Sequence, residues 1–183
     1  MSLLPELIDL VYEYLLEEII IDKYENYEKY TEISGVKHGK YYKKTGIYEI
    51  TCNYYLGKLH GPHIEQSLLN KHRTERFYIN DEMHGIYRFY DYAGNLCRYS
   101  EYKHGKRDGI SMSYYSNNRI ESISEHKNGM LDGVCKTYDL NGDLMEYSEF
   151  KEYKRHGVWT TFHDGIEETI YFKNGKRTWC IFM

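Results

Sequence analysis

The chain has 183 residues and a formal net charge of -4, with 24 Lys and Arg against 28 Asp and Glu. No basic tail or stripe stands out, which excludes the electrostatic footprint of a nucleic-acid binder. Tyrosine is the compositional outlier, with 22 copies against 6 Phe and 2 Trp; it suits a sheet with half-wet faces, because the ring packs while the hydroxyl stays hydrated.

The four cysteines, Cys52, Cys97, Cys135 and Cys180, form no CxxC pair. That spacing argues against a zinc knuckle and fits reduced thiols, so a cytoplasmic location is expected. The N-terminus has neither a basic n-region nor a small-residue cleavage site, and no run of about 18 apolar residues is present. Neither a leader nor a membrane span is expected.

Residues 2–21 differ from everything after them. Leu4, Ile8, Val11 and Leu15 fall on one face at helical spacing. Pro5 suits the first helical turn, and Glu6 and Asp9 suit the positive end of the helix dipole. The pattern predicts a helix from Pro5 to about Ile20, in an N-terminal element of residues 1–22. Leu3, Leu7, Leu10 and Tyr14 lie off the first apolar face. That gives the helix a second face, for the sheet, a partner protein or a homodimer.

From residue 23 a repeat takes over. A glycine closes each unit, in the pair His-Gly or Asp-Gly, at Gly39, Gly61, Gly85, Gly109, Gly133 and Gly157. The intervals are 22, 24, 24, 24 and 24, too even for chance. The first place after the glycine holds Ile86, Ile110, Val134 and Val158, and the fifth holds Tyr90, Tyr114, Tyr138 and Phe162. Those places share a strand face. Turn residues follow, Asn141-Gly142 being the clearest hairpin signal. Each unit therefore reads as a hairpin of two short strands. About a dozen strands should form an elongated antiparallel meander, all-β apart from the N-terminal helix, with the closing glycines in turns and the aromatic column packed between neighbouring hairpins. Two units are shorter by two residues, at the hairpin turn. The unit from Pro62 to Gly85 is the most degenerate, so its turn should be irregular. The array spans residues 23–183. It ends apolar, and from about residue 177 Trp179, Ile181 and Phe182 read as a cap on the last sheet edge.

The unit G-x(4)-Y-x(3)-G-x-L-x(5)-Y-K-x-G-K-x-D-G resembles the MORN repeat (membrane occupation and recognition nexus), in the variant seen in bacterial antitoxin-like and giant-virus proteins. The resemblance covers about residues 28–183. It implies stacked hairpins and protein–protein scaffolding, with lipid contact in some members, and no catalytic residues. The start LPELIDLVYEYL resembles the opening of an F-box in Leu4-Pro5, Glu6-Leu7 and Tyr14-Leu15. It lacks one residue after Pro5 and the later F-box helices. This second resemblance implies a viral F-box-like adaptor that docks a ubiquitin-ligase component.

Two further columns invite chemistry. His38, His60, His84 and His156 precede their closing glycines, with Asp108 and Asp132 in the other units. Ligands repeating about every 10 Å cannot converge on one metal ion, so a turn role is expected and no metal. Glu101, Glu125 and Glu149 are each followed two residues later by Lys103, Lys127 or Lys151. That reads as a charge-alternating solvated face with no cleft for catalysis. The expectation is a non-catalytic binding scaffold without cofactors. Its partner is an unspecified protein, docked through Leu3, Leu7, Leu10 and Tyr14. The competing reading is contact with anionic lipid headgroups through Lys58, Lys106, Arg107, Lys154, Arg155, Lys176 and Arg177.

Overall fold

Eight pairs of consecutive residues organise the described chain, and in each both φ angles are positive. Seven follow one margin of the sheet, Ser34-Gly35, Leu56-Gly57, Asn80-Asp81, His104-Gly105, Asn128-Gly129, Glu152-Tyr153 and Asn174-Gly175, and Asp164-Gly165 lies on the other. The first residue lies at φ 47–52° and the second at 64–88°. That is the type I′ geometry whose twist matches that of paired strands, and it favours Asn and Gly. Each pair reverses the chain in two residues and sends the next strand back along the last.

The structure, a computed structural model, describes residues 17–23 and 26–178. The strands are β1 (Glu17–Lys23), β2 (Asn26–Ile33), β3 (Val36–Lys44), β4 (Tyr48–Tyr55), β5 (Lys58–Ser67) and β6 (Arg73–Ile79). Then come β7 (Glu82–Met83), β8 (Gly85–Tyr90), β9 (Leu96–Lys103), β10 (Lys106–Tyr114) and β11 (Ile120–Lys127). The last are β12 (Met130–Tyr138), β13 (Leu144–Lys151), β14 (Lys154–His163), β15 (Ile166–Lys173) and β16 (Lys176–Thr178). They form one open antiparallel sheet in sequence order; β7 is a two-residue spur on β6, and β6 pairs onward with β8. The expected meander is present, with no helix among the described residues.

The N-terminal helix requires correction at its end. Residues 17–20 lie in β1, where Ile19 pairs with Tyr30 and Ile20 with Lys29. Three consecutive isoleucines are stiff at χ1 and favour a strand over a helix. The rest of that helix, residues 5–16, lies outside the described residues, as does the C-terminal cap at Trp179, Ile181 and Phe182.

The closing glycines are not in turns, contrary to the sequence reading. Gly39, Gly61, Gly109, Gly133 and Gly157 lie inside strands, and Gly85 opens one. The turns sit four residues earlier. At each closing glycine the strand carries two extra residues: Ser111 pairs with Ser100 and Arg107 with Tyr102, so Asp108-Gly109-Ile110 together face Glu101. The pairing of β11 with β12 and of β13 with β14 shifts in the same way. This bulge holds Gly109 at φ 115° and Gly133 at φ 122°, conformations that L side chains rarely adopt.

A single layer leaves little interior. Tyr41 and Cys52 are the buried apolar residues among those described, joined by Ser100, Ser148 and Thr160. The accessible surface is 12862 Å², against roughly 9,300 Å² expected for a compact 22.0 kDa chain. Stability therefore rests on the hydrogen-bonded ladder and on cross-strand side-chain pairs, each contributing about 0.2–1 kcal/mol. The aromatic column is half-buried: Tyr90 pairs with Leu96, Tyr114 with Ile120 and Tyr138 with Leu144 across their hairpins. The degenerate unit has the expected irregular connection, Leu68 to His72, held by Gln66 Nε2 donating to the Lys71 carbonyl at 2.8 Å.

Two substitutions test these points. A Cβ at Gly133 would overlap the Glu125 carboxylate. Gly133→Ala is expected to lower the urea-unfolding free energy by about 1–2 kcal/mol, and adding Glu125→Ala to recover only the carboxylate part of the overlap, because the Cβ at position 125 remains 2.8 Å from the new methyl. Tyr138→Ala should cost about 1–2 kcal/mol, short of the roughly 3–5 of a fully buried aromatic, because the residue is only partly covered. A loss of 4 kcal/mol or more would mean the column is sealed.

Candidate binding surface

The bulge explains the glutamate column. Without a Cβ at the glycine, the facing carboxylate reaches the strand backbone. Ile110 N–H donates to Glu101 Oε2 at 3.0 Å, Val134 to Glu125 at 3.1 Å and Val158 to Glu149 at 3.2 Å. Tyr99 and Tyr147 donate their hydroxyls to the other carboxylate oxygen of Glu101 and Glu149, at 2.9 and 2.8 Å. These glutamates satisfy backbone groups that the bulge removes from the ladder; they are more than a solvated charge row.

The His/Asp column has a matching role. Asn128 N–H donates to Asp108 Oδ2 at 3.0 Å and Glu152 N–H to Asp132 Oδ2 at 3.2 Å. Leu56 and Asn174 N–H approach Nδ1 of His38 and His156 at 3.5 Å. In each case the donor is the first residue of the next hairpin tip. Both a carboxylate and a neutral imidazole Nδ1 accept a hydrogen bond there, and so the two residue types alternate in the column. The second tip residue completes the link: Gly57 N–H donates to the Lys37 carbonyl at 2.8 Å, Gly129 to Arg107 at 2.7 Å and Gly175 to Arg155 at 2.8 Å. Among the described residues no three His, Cys, Asp or Glu side chains converge on one point.

Registers sort the surface into two faces. One carries Ser100, Ser111, Ser124, Cys135 and Ser148 in a directly paired row, flanked by Tyr54, Tyr78, Tyr102, His126 and Phe150, each opposite a closing glycine. The other carries the glutamate column with Ile86, Ile110 and Val134 opposite it. On that second face an open groove of about 490 Å³ lies over β5, β6 and β8, with Pro62, Ile64, Phe77 and Ile86 as its apolar lining.

The seven cations proposed from sequence all follow the type I′ turns, on one margin of the sheet, but the strands turn them to different faces. Arg107 and Arg155 are on the serine face. Arg107 Nε donates to Tyr102 Oη at 3.3 Å, and the Arg155 guanidinium lies 3.8 Å from the Trp159 ring centroid. Arg177 pairs with Phe172 on the same face. Lys58, Lys106, Lys154 and Lys176 are on the glutamate face. There the structure adds residues that sequence reasoning placed in a separate column: Lys103 is the direct partner of Lys106, and Lys151 of Lys154. The signal was present as K-x-G-K and becomes readable once the turn is placed on the two middle residues. Leu3, Leu7, Leu10 and Tyr14 lie outside the described residues.

With this geometry in place, comparison with known proteins adds a match to a family model over part of the chain. The model of the MORN repeat variant matches residues 83–104 and 131–152, one hairpin-and-turn stretch each, in equivalent registers. No curated protein matches the chain. Among solved structures, one described as the crystal structure of TarM is similar at 15% identity and a TM-score of 0.24, covering 68% of this chain and 24% of that one. A mutant of S. aureus TarM in complex with fondaparinux, alpha-GlcNAc-glycerol and UDP is similar at 10% identity and a TM-score of 0.21, over 82% and 23%. The chain spans about a quarter of the length of those proteins.

Titration offers a test of the serine face. Burial lowers the pKa of His63 and His126, helped by Arg76 beside the first and Arg107 beside the second, and neither Nδ1 has a hydrogen-bond partner. A histidine held below its unfolded value binds its proton later in the folded state. Stability is then full above the ordinary histidine pKa and falls as the pH drops through it toward the folded value. Urea midpoints should decline from about pH 7 to pH 5, and the decline should be shallower in His126→Phe. A pH-independent midpoint over that window would contradict these environments.

Proposed function

We propose that this chain is a non-catalytic scaffold that holds protein partners against an open sheet of MORN-type hairpins. The observation that carries the reading is the single layer itself: both faces are open to solvent along the whole array, and the accessible surface far exceeds that of a compact chain. Such an array adds binding area with every hairpin, at a constant cost in local structure. The lipid-headgroup reading needs seven cations acting together, and two of them face the other way, Arg107 bonded to the Tyr102 hydroxyl and Arg155 over the Trp159 ring; protein binding is therefore favoured.

The finer reading is a cytoplasmic adaptor of viral type, whose N-terminal Leu3, Leu7, Leu10 and Tyr14 engage a ubiquitin-ligase component while the repeats hold its target. Its support is the F-box-like start alone. A pulldown of the intact chain and of a Leu7→Asp/Leu10→Asp variant against a purified F-box adaptor tests it; capture by the wild type and loss in the variant are expected. No capture by the wild type removes the ligase role. The scaffold itself is tested by affinity capture from cells followed by crosslink mapping. Crosslinks from one partner to three or more hairpins are expected, and crosslinks confined to one hairpin would contradict an array-wide surface.

A further inference from the structure

The turn margin of the glutamate face changes character along the array. In the first three hairpins the residues flanking the type I′ turn are Ile33 and Val36, Tyr55 and Lys58, and Ile79 and Glu82. In later hairpins they become Lys103 and Lys106, Lys151 and Lys154, and Lys173 and Lys176, each pair directly opposed. Lys127, opposite Met130, extends the row. All seven lysines are exposed, and none has an ion-pair or hydrogen-bond partner among the described residues.

Like charges directly opposite each other across a strand pair are destabilising. The hairpin does not demand them, because the first three close on other residues. Sheet-edge protection does not demand the pairs on β9, β10, β13 and β14 either, since those strands are interior, and only Lys173 and Lys176 sit at the terminal strand pair β15–β16. An acidic chain that concentrates unpaired lysines on one margin presents a site for a complementary anion. The apolar groove of Pro62, Ile64, Phe77 and Ile86 lies on the same face, at the near end of the row.

We propose that this margin docks an extended acidic segment of a partner protein, with an apolar anchor in the groove and its carboxylates along the lysines. This names the partner chemistry of the scaffold reading and rests on it. From β8 to β16 is eight strand steps, about 38 Å, which an extended segment covers with about a dozen residues. A narrow segment fits better than a bilayer. The carboxylates of Glu101, Glu125 and Glu149 stand two residues inward on the same face, where a flat anionic surface would meet them, whereas a strand laid along the margin meets the lysine pairs, with Glu152 the one carboxylate at the tips those pairs flank.

The test uses the full chain and a fluorescein-labelled peptide of about 15 residues, with Phe, Ile and Leu at its start and Glu at alternate positions after them. Anisotropy is read at about 50 and about 200 mM salt. The expectation is saturable binding that weakens with salt, a loss of at least about tenfold in Lys103→Gln/Lys106→Gln/Lys151→Gln/Lys154→Gln, and no loss in Lys43→Gln/Lys71→Gln on the opposite margin. A circular-dichroism melt confirms that each variant is folded. Equal losses in both variants, or none in the first, overturn the proposal. So does capture of phosphatidylserine vesicles by a wild type that ignores the peptide, which assigns the lysines to a membrane. If the peptide fails while array-wide crosslinks to a cellular partner persist, this inference falls and the scaffold reading stands; if both fail, the scaffold reading falls with it.

Discussion

From Leu56-Gly57 onward each turn on that margin of the sheet gives the N–H of its second residue to a carbonyl of the hairpin before it, and four of them also give the first N–H to the His or Asp that precedes a closing glycine. Everything else in the array depends on that hand-over. A single-layer sheet has almost no interior, so neighbouring hairpins are held in register by backbone and near-backbone polar contacts, such as Gly129 to Arg107 and Asn128 to Asp108. The two-residue bulge at the glycine makes room for the link, and the facing glutamate repairs the ladder where the bulge interrupts it. Glycine, glutamate and His/Asp thus form one device repeated along the chain.

The same economy shapes the surface. Because the backbone does most of the holding, the side chains between the fixed positions are free to vary. The serine face uses aromatic residues opposite the glycines, with Arg155 spread on Trp159 and Arg107 bonded to the Tyr102 hydroxyl. The glutamate face keeps its apolar residues at the first place of each unit and leaves its margin to lysine. A partner surface can therefore be written into one margin without touching the device that builds the sheet.

Much of this was legible in the residues. The 24-residue period, the hairpin unit, the sequential meander and the irregular Leu68–His72 connection all follow from spacing and turn chemistry. The roles of the two glycines in K-x-G-K-x-D-G did not, because both occupy positive φ and spacing alone cannot say which one turns the chain. Asn128-Gly129 and Asn174-Gly175 carried the type I′ signal. Placing the turn there moves Gly133 into a strand and brings Lys151 opposite Lys154. The end of the N-terminal helix was lost for a different reason: helical periodicity continues to Ile20, but pairing with β2 and three β-branched residues outweigh it.

The spur β7 and β8 are one strand interrupted at the bulge. β6 shares two residue pairs with β7 and three with β8, and that total of five equals what β9 shares with β10 and β11 with β12. In a chain of nearest-neighbour couplings the weakest coupling sets where cooperativity breaks, and here the interruption creates no weak one. Pulled along the strand-stacking direction, the sheet has no seam marked in advance at β7. The apolar groove spans β5, β6 and β8, so whatever fills it adds contacts across two of these couplings at once.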